Sequence, residues 1–278
     1  MAPLAYLNGE ILPLADAKVS IVDIGILRGF GIYEGLITHN RKPFRLADHI
    51  ERFRRSAEKM SIKVPVDDAD IESAIRKLVE ANVPAEKEGL IRIILTGGPA
   101  VGVIDYNPET PTMFILVDEF RPLEEHYLKE GCSVSVVEYH RDLAEIKSTN
   151  YIKTVLLQKE RKAKGDLELI YTWQGQAYEG GGSNFFLVKN GTLITTKDDI
   201  VLGITRKVVL EIAREHFNVE ERPITVDEMY GADEMFITGS FKEVVGVVKA
   251  GDRTIGNGTV GPATKRIIEL FENYAKSY

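Results

Sequence analysis

The chain has 278 residues, enough for one large domain or two of ordinary size, and 44% hydrophobic content, 28% charged content and 11 Pro exclude disordered and fibrous classes. With 35 basic and 42 acidic residues the net charge is −7, which excludes a general pull toward nucleic acid or anionic membrane, so an anion must be captured locally. The single cysteine, Cys132, excludes a disulfide framework and points to a reducing compartment.

The opening MAPLAYLNGEILP has neither a basic start nor a long apolar core, which argues against a secretory signal, and no later run reaches membrane-span length. A cytoplasmic protein is expected. Within YLNGEIL, from Tyr6, the Asn-Gly pair predicts a hairpin turn. The NGT tripeptides at Asn190 and Asn257 match a glycosylation pattern but are also expected to be Asn-Gly hairpin turns. Strands are predicted at Lys18 to Asp23, Gly31 to His39 and Lys42 to Leu46. Leu46, Ile50, Phe53, Ala57 and Met60 form one helical stripe, and Asp67 or Asp68 caps a second helix that carries Ile71, Ile75 and Leu78. GLIRIILTGG and TMFILVDEF read as buried strands, so residues 1–118 form a two-layer α+β domain.

A charged segment with a Pro, residues 119–130, reads as the interdomain linker, and residues 131–278 as a second domain. There, short strands recur in SVSVVEYH, LELIYTW, NFFLV, TLITT, MFITG and VVGVV. Helices interrupt them around Tyr151 to Lys164 and Thr205 to Phe217, which predicts a barrel-like sheet with inserted helices. A last helix runs near Pro262 to Tyr274.

Several chemistries are missing. There is no phosphate-loop motif, no dinucleotide glycine spacing in GGPAVG, no paired metal-ligand spacing among the 5 His, and no nucleophile elbow. What remains is a set of three features. Lys147, in EIKSTNY, stands between a strand-like run and a helix, where it is either a solvated charge or an amine that projects into a cleft. Glu179, in YEGGGSNFF, precedes three glycines that make either a plain loop or a backbone brought close to something flat or charged. In LGITRKVV, Gly203 precedes a helix that opens at Thr205, and a helix start offers free N–H groups to a phosphate. Pyridoxal phosphate is a cofactor that needs an amine, an acid and a phosphate cup together.

On the segments DIGILRGFGIYEG, DHIERFRRSA, EIKSTNY, YEGGGSNFF, LGITRKVV and ITGSFKEVVGV, taken in order, the chain resembles the class IV aminotransferases of the fold-type IV pyridoxal-phosphate enzymes. The resemblance implies an α+β/α/β architecture, a small α+β N-terminal domain and a larger pseudo-barrel C-terminal domain with helices. It implies pyridoxal 5'-phosphate as cofactor, ping-pong transfer between an amino acid and a 2-oxo acid, and a homodimer in which the Arg28 loop reaches the neighbouring active site. By position, Lys147 matches the Schiff-base lysine, Glu179 the partner of the pyridine nitrogen, and Arg52, expected on the flank of its helix's apolar stripe, the phosphate-binding arginine. Ile204 and Thr205 match the helix-start phosphate ligands, Ser240 and Phe241 a second phosphate loop, Leu202 the residue packed on the ring, and Tyr33 an aromatic wall of the substrate pocket.

A substrate carboxylate needs cationic partners, and Arg28 in ILRGFG and Arg92 in GLIRIIL are placed for it. An arginine inside an apolar strand is hard to explain as surface, so Arg92 favours function over a salt bridge, whereas Arg28 alone leaves the two readings level. Branched-chain members usually carry an Arg and a Tyr where this chain has Ile37 and Leu90, and the best-known D-amino-acid members carry an Arg-x-His loop that GGPAVGVIDY lacks. The pairing of an LRG arginine with an IR arginine resembles an atypical group of D-amino-acid transaminases, which act on D-Glu or D-Ala with 2-oxoglutarate. A branched-chain L-amino-acid aminotransferase and an aminodeoxychorismate lyase are the alternatives.

Overall fold

The computed structural model describes residues 2–278 and divides them into two compact units. The first runs through Arg121 and also takes in Ile146–Tyr151 and Tyr278; the second comprises Pro122–Glu145 and Ile152–Ser277. Among the described residues, no helix is long and apolar enough to cross a membrane.

In the first unit the elements are β1 (Leu4–Leu7), β2 (Glu10–Pro13), α1 (Ile24–Arg28), β3 (Gly31–His39), β4 (Lys42–Pro43), α2 (Leu46–Lys59), α3 (Asp68–Asn82), β5 (Gly89–Thr96), β6 (Ala100–Val101), β7 (Asp105–Tyr106) and β8 (Thr112–Glu119). Six of the strands form an antiparallel sheet in the order β2-β1-β8-β5-β3-β4. Asn8 and Gly9 both take positive φ, as a two-residue hairpin turn between β1 and β2 requires. Asp67 caps α3 by accepting a hydrogen bond from the Asp70 amide.

Register sorts the residues of this sheet by face, because paired residues on neighbouring strands point the same way. Ile32, Glu34 and Leu36 lie level with Leu95, Ile93 and Ile91 and then with Met113, Ile115 and Val117. The apolar members of this set join Ile50, Phe53, Ile71, Ile75 and Leu78 of α2 and α3 in one core. The opposite face carries Tyr33, Gly35 and Ile37 beside Ile94, Arg92 and Leu90, then Phe114, Leu116 and Asp118, and most of it is only partly buried.

Three expectations need correction here. Lys18 to Asp23 is a loop, and its buried Asp23 instead caps α1 by accepting from the Gly25 amide. The strand expected over Lys42 to Leu46 stops at Pro43, because α2 starts at Leu46. GLIRIILTGG is not buried on both faces; its burial alternates residue by residue, and this decides how Arg92 is read.

In the second unit the elements are α4 (Glu125–Glu130), β9 (Cys132–Glu138), α5 (Ile152–Ala163), β10 (Glu168–Trp173), β11 (Gln176–Gly180), β12 (Asn184–Lys189), β13 (Thr192–Thr195), α6 (Ile204–Ala213), β14 (Asn218–Glu221), β15 (Ile224–Thr225), α7 (Val226–Tyr230), β16 (Glu234–Gly239), β17 (Glu243–Ala250), β18 (Arg253–Thr254) and α8 (Pro262–Ser277). The main path of the sheet is β14-β13-β12-β16-β17-β9-β10-β11-β15, with β18 paired to β17. Its two edge strands, β14 and β15, are joined by only Arg222 and Pro223, so the sheet has to curl until its edges approach. Val134, Ile170, Phe185, Ile237 and Val245 contribute to the core of this unit.

Asn190 and Gly191 make the expected hairpin turn, both at positive φ. Asn257 does not: it lies in the loop between β18 and α8, where its side chain accepts from the Thr259 amide. The charged segment after β8 is not wholly a connector either, since Glu125–Glu130 is helical and falls in the second unit.

Candidate active site

Lys147 lies on the segment that returns to the first unit, and backbone pairing with β3 fixes it there. The Tyr33 amide donates to the Lys147 carbonyl at 3.0 Å, Ser148 bridges to Ile32, and the Thr149 amide donates to the Gly31 carbonyl at 2.9 Å. The segment therefore adds to the β3 edge as a short piece of strand. Its ammonium stands 4.6 Å from the centroid of the Tyr33 ring, a cation–π distance, and the Tyr33 hydroxyl donates to that of Tyr151. Tyr151 is a site residue that sequence reasoning misses. Its only signal is that it follows Lys147 by four residues, and no periodicity applies to an irregular segment.

On the helix side of the same sheet, Arg52 is buried on the core face of α2 and not on its flank, only 4% exposed. Glu34 accounts for this placement. Arg52 Nε donates to Glu34 Oε1 at 2.8 Å and its Nη2 to Oε2 at 2.7 Å, while His49 Nδ1 lies 2.7 Å from Oε2. Burial alone would raise the Glu34 carboxyl, but the Arg52 guanidinium and the His49 contact bring it down to about 2. Burial pushes His49 below its usual value, and Glu34 opposes this only in part. Glu34 and His49 are missed by pattern reading because each sits inside an otherwise apolar pattern.

In the second unit, Glu179 is buried on β11. It accepts from Arg141 Nη1 at 2.7 Å and from the Val201 amide at 3.0 Å. Asn184 holds the following segment from the other side: its Nδ2 donates to the Val201 carbonyl at 2.8 Å and its Oδ1 accepts from the Gly203 amide at 3.1 Å. Leu202, gripped on both sides, is left 45% exposed. Arg141 and Asn184 are further residues that pattern reading misses.

Gly203 is required by space, since a Cβ there would stand 2.2 Å from Asn184 Oδ1. It is the N-cap of α6 and supplies no side-chain cap, so the first-turn amides of Ile204 and Thr205 keep their donors for another acceptor. Ser240 and Phe241 lie on the turn from β16 to β17, next to Thr238, whose buried hydroxyl has no hydrogen-bond partner among the described residues. The glycine tract is explained by the protein's own atoms: a Cβ at Gly180 would meet Ser183 Oγ at 2.2 Å, and one at Gly181 would meet Glu168 Oε1 at 3.2 Å. The two arginines expected to hold substrate are less enclosed than foreseen. Arg28 is exposed at the end of α1, with its Nη1 on the Leu27 carbonyl, and Arg92 is half-exposed and ion-paired with Asp118.

An uncapped helix start, an orphaned buried hydroxyl and a guanidinium-paired acid are donors and charges that suit a phosphorylated pyridine aldehyde.

Residues 31–250 match the family model described as amino-transferase class IV. A putative branched-chain-amino-acid aminotransferase of Methanocaldococcus jannaschii is 34% identical over 96% of this chain and 95% of its own length. A D-alanine aminotransferase of Staphylococcus aureus strain N315 is 33% identical, with 98% of both chains covered. Among solved structures, a T.th. branched-chain amino acid aminotransferase with pyridoxamine 5'-phosphate superposes with a TM-score of 0.91 at 28% identity, over 100% of this chain and 95% of that one. The chain belongs to the class IV aminotransferases, pyridoxal-phosphate-dependent enzymes of fold type IV that act on amino acids and 2-oxo acids.

Proposed function

We propose that this aminotransferase moves the amino group of a D-amino acid of the D-Glu or D-Ala type to a 2-oxo acid such as 2-oxoglutarate. The observation that carries the reading is the open face of the first unit's sheet. Arg92 lies opposite Gly35, which has no side chain to cover it, and one pair along from Tyr33, over whose ring Lys147 is held. A substrate carboxylate that replaces Asp118 on Arg92 would bring its α-carbon toward that amine. Ile37 and Leu90, which stand where branched-chain members usually carry an Arg and a Tyr, are cross-strand partners on this same face.

Bound pyridoxal phosphate supplies an aldehyde carbon that takes the amino group and a protonated ring that accepts the electron pair left on the α-carbon. With the group bound, Lys147 would hold that aldehyde covalently, and its amine, once freed by substrate, would carry the α-proton away and return it. Glu179, paired with Arg141, would set a negative charge at the ring nitrogen. Arg52, the Ile204 and Thr205 amides, the Thr205 hydroxyl and the Ser240–Phe241 turn would hold the phosphate, and Leu202 would pack on the ring. Arg28 serves the site of a second copy of the chain, a role favoured by the exposed Ile26 and Leu27 beside it on α1.

The branched-chain reading keeps its own support, the 34% identity to the Methanocaldococcus jannaschii protein and the superposition on the T.th. branched-chain enzyme. Following the cofactor band separately with D-Glu, D-Ala, L-Leu and L-Glu decides between them. The proposal expects conversion by the D-acids; reaction with L-Leu alone would replace it with the branched-chain reading, and pyruvate release from aminodeoxychorismate without an acceptor with the lyase. Arg92→Ala and Arg28→Ala are each expected to raise half-saturation about tenfold or more and to leave the cofactor band in place. Unchanged half-saturation in both variants removes their assignment.

A further inference from the structure

The turn that carries Ser240 and Phe241 is tied to its own unit at more than one point. It closes on the Gly239–Glu243 pair, with the Lys242 amide donating to the Gly239 carbonyl at 3.1 Å. Its closing residue, Glu243, has φ 54°, the left-handed conformation that favours glycine. Gly239 lies against the glycine tract, where a Cβ would stand 3.1 Å from the Gly182 carbonyl oxygen.

The side chain of Lys242 makes a second tie between these two stretches. Its Nζ reaches Glu168 Oε2 at 2.9 Å, and the same oxygen accepts from Ser183 Oγ at 3.1 Å, while Oε1 accepts from the Leu169 amide at 2.8 Å. Glu168 is only 4% exposed, so the attraction is little screened by solvent. Burial alone would raise this carboxyl; Lys242, the Leu169 amide and Ser183 hold it below the usual range. None of the steps assigned to the reaction uses Glu168, Lys242 or Ser183.

We infer that Lys242 and Glu168 are positioning residues for the anion-binding turn: their ion pair, anchored to Ser183, clamps the turn in the shape in which Ser240 and Phe241 meet the cofactor phosphate. The inference rests on the proposal that this turn is a phosphate ligand. It predicts a larger effect on the phosphorylated compound than on pyridoxal, because the hydrogen bonds of Lys242 and Glu168 go to each other, to Ser183 and to the Leu169 amide.

The test is to titrate folded apoprotein with pyridoxal 5'-phosphate and, separately, with pyridoxal, which lacks the phosphate. Lys242→Met is expected to weaken binding of the phosphorylated compound about tenfold and to change pyridoxal binding by less than about twofold, and Lys242→Arg to restore the difference. Equal loss for both compounds, no loss for either, or an arginine variant that behaves like the methionine one overturns the inference. If Lys242→Met does not fold, the double variant Glu168→Gln/Lys242→Met, which leaves no lone buried charge, takes the same measurement. A double variant that also fails to fold assigns the pair to stability alone and overturns the inference as well. Ser240→Ala tests the underlying reading separately: if it keeps the full preference for the phosphorylated compound, the turn is not a phosphate ligand, whereas loss there with none in Lys242→Met removes only the clamp.

Discussion

Lys147→Ala is expected to lower turnover by at least about four orders of magnitude, since it removes both the covalent attachment and the proton carrier. The folded protein should still bind pyridoxal phosphate through its anion-binding groups, but without the absorbance of a lysine-linked cofactor. Borohydride reduction of the wild type followed by peptide mass mapping should place the adduct on residue 147. The backbone explains why one lysine is singled out. The bonds from the Tyr33 amide to the Lys147 carbonyl and from the Thr149 amide to the Gly31 carbonyl fix the segment on both sides, and the amine is held over the Tyr33 ring. Of the other lysines, Lys153 lies over the Tyr139 ring from the first turn of α5 and Lys242 is engaged by Glu168. Retained turnover within about tenfold of wild type, or an adduct on either of those lysines, refutes the assignment.

Where the sequence was legible, one local rule sufficed. The α2 stripe, the Asp67 cap and the Asn-Gly turns at Asn8 and Asn190 each depend on residues a few positions apart. Lys18 to Asp23 failed because an alternating run says nothing of whether a partner strand is present. Gly35 has β5 beside it; Ile21 and Val22 are exposed in a loop. The reading of GLIRIILTGG as wholly buried fails for a related reason: an apolar run does not say how many faces of a sheet are covered, and only the layer of α2 and α3 decides that. The polar partners were the least legible. Glu34 meets Arg52 from 18 residues away, Arg141 meets Glu179 from 38, and Lys242 meets Glu168 from 74. Side chains that matter through a bond to another functional group leave no spacing signal, because the fold alone brings them together.

Glu34→Ala is expected to destabilise the protein by about 3–5 kcal/mol, because it strands a guanidinium that is almost wholly buried. For a chain of this size the melting midpoint should fall by roughly 10 °C. Glu34 also gives the wild type a defined acid response. Its carboxyl has a folded value of about 2 against an ordinary 4.5, and the Arg52 guanidinium and the His49 contact that cause the shift outweigh the opposing effect of burial. A depressed carboxyl contributes stability that is fully present above pH 4.5 and is lost as the pH falls toward 2, about 3 kcal/mol in all for a group with no solvent exposure. His49, lowered by burial, adds an earlier loss that begins below pH 6.5, where the unfolded chain takes up the proton first. Glu34→Gln keeps the shape but does not titrate, so between pH 4.5 and 3 its denaturation midpoint should drop less than that of the wild type, the losses from Glu168 and His49 being present in both. If the two midpoints fall in parallel across that window, the acid sensitivity arises elsewhere, and Arg52 does not depend on Glu34 for its charge balance. The same pair bears on the cofactor. Glu34 occupies Nε and one side of Nη2, which fixes the plane of the guanidinium and orients Arg52 before any phosphate arrives. Glu34→Gln should therefore weaken retention of pyridoxal phosphate more than it weakens the fold.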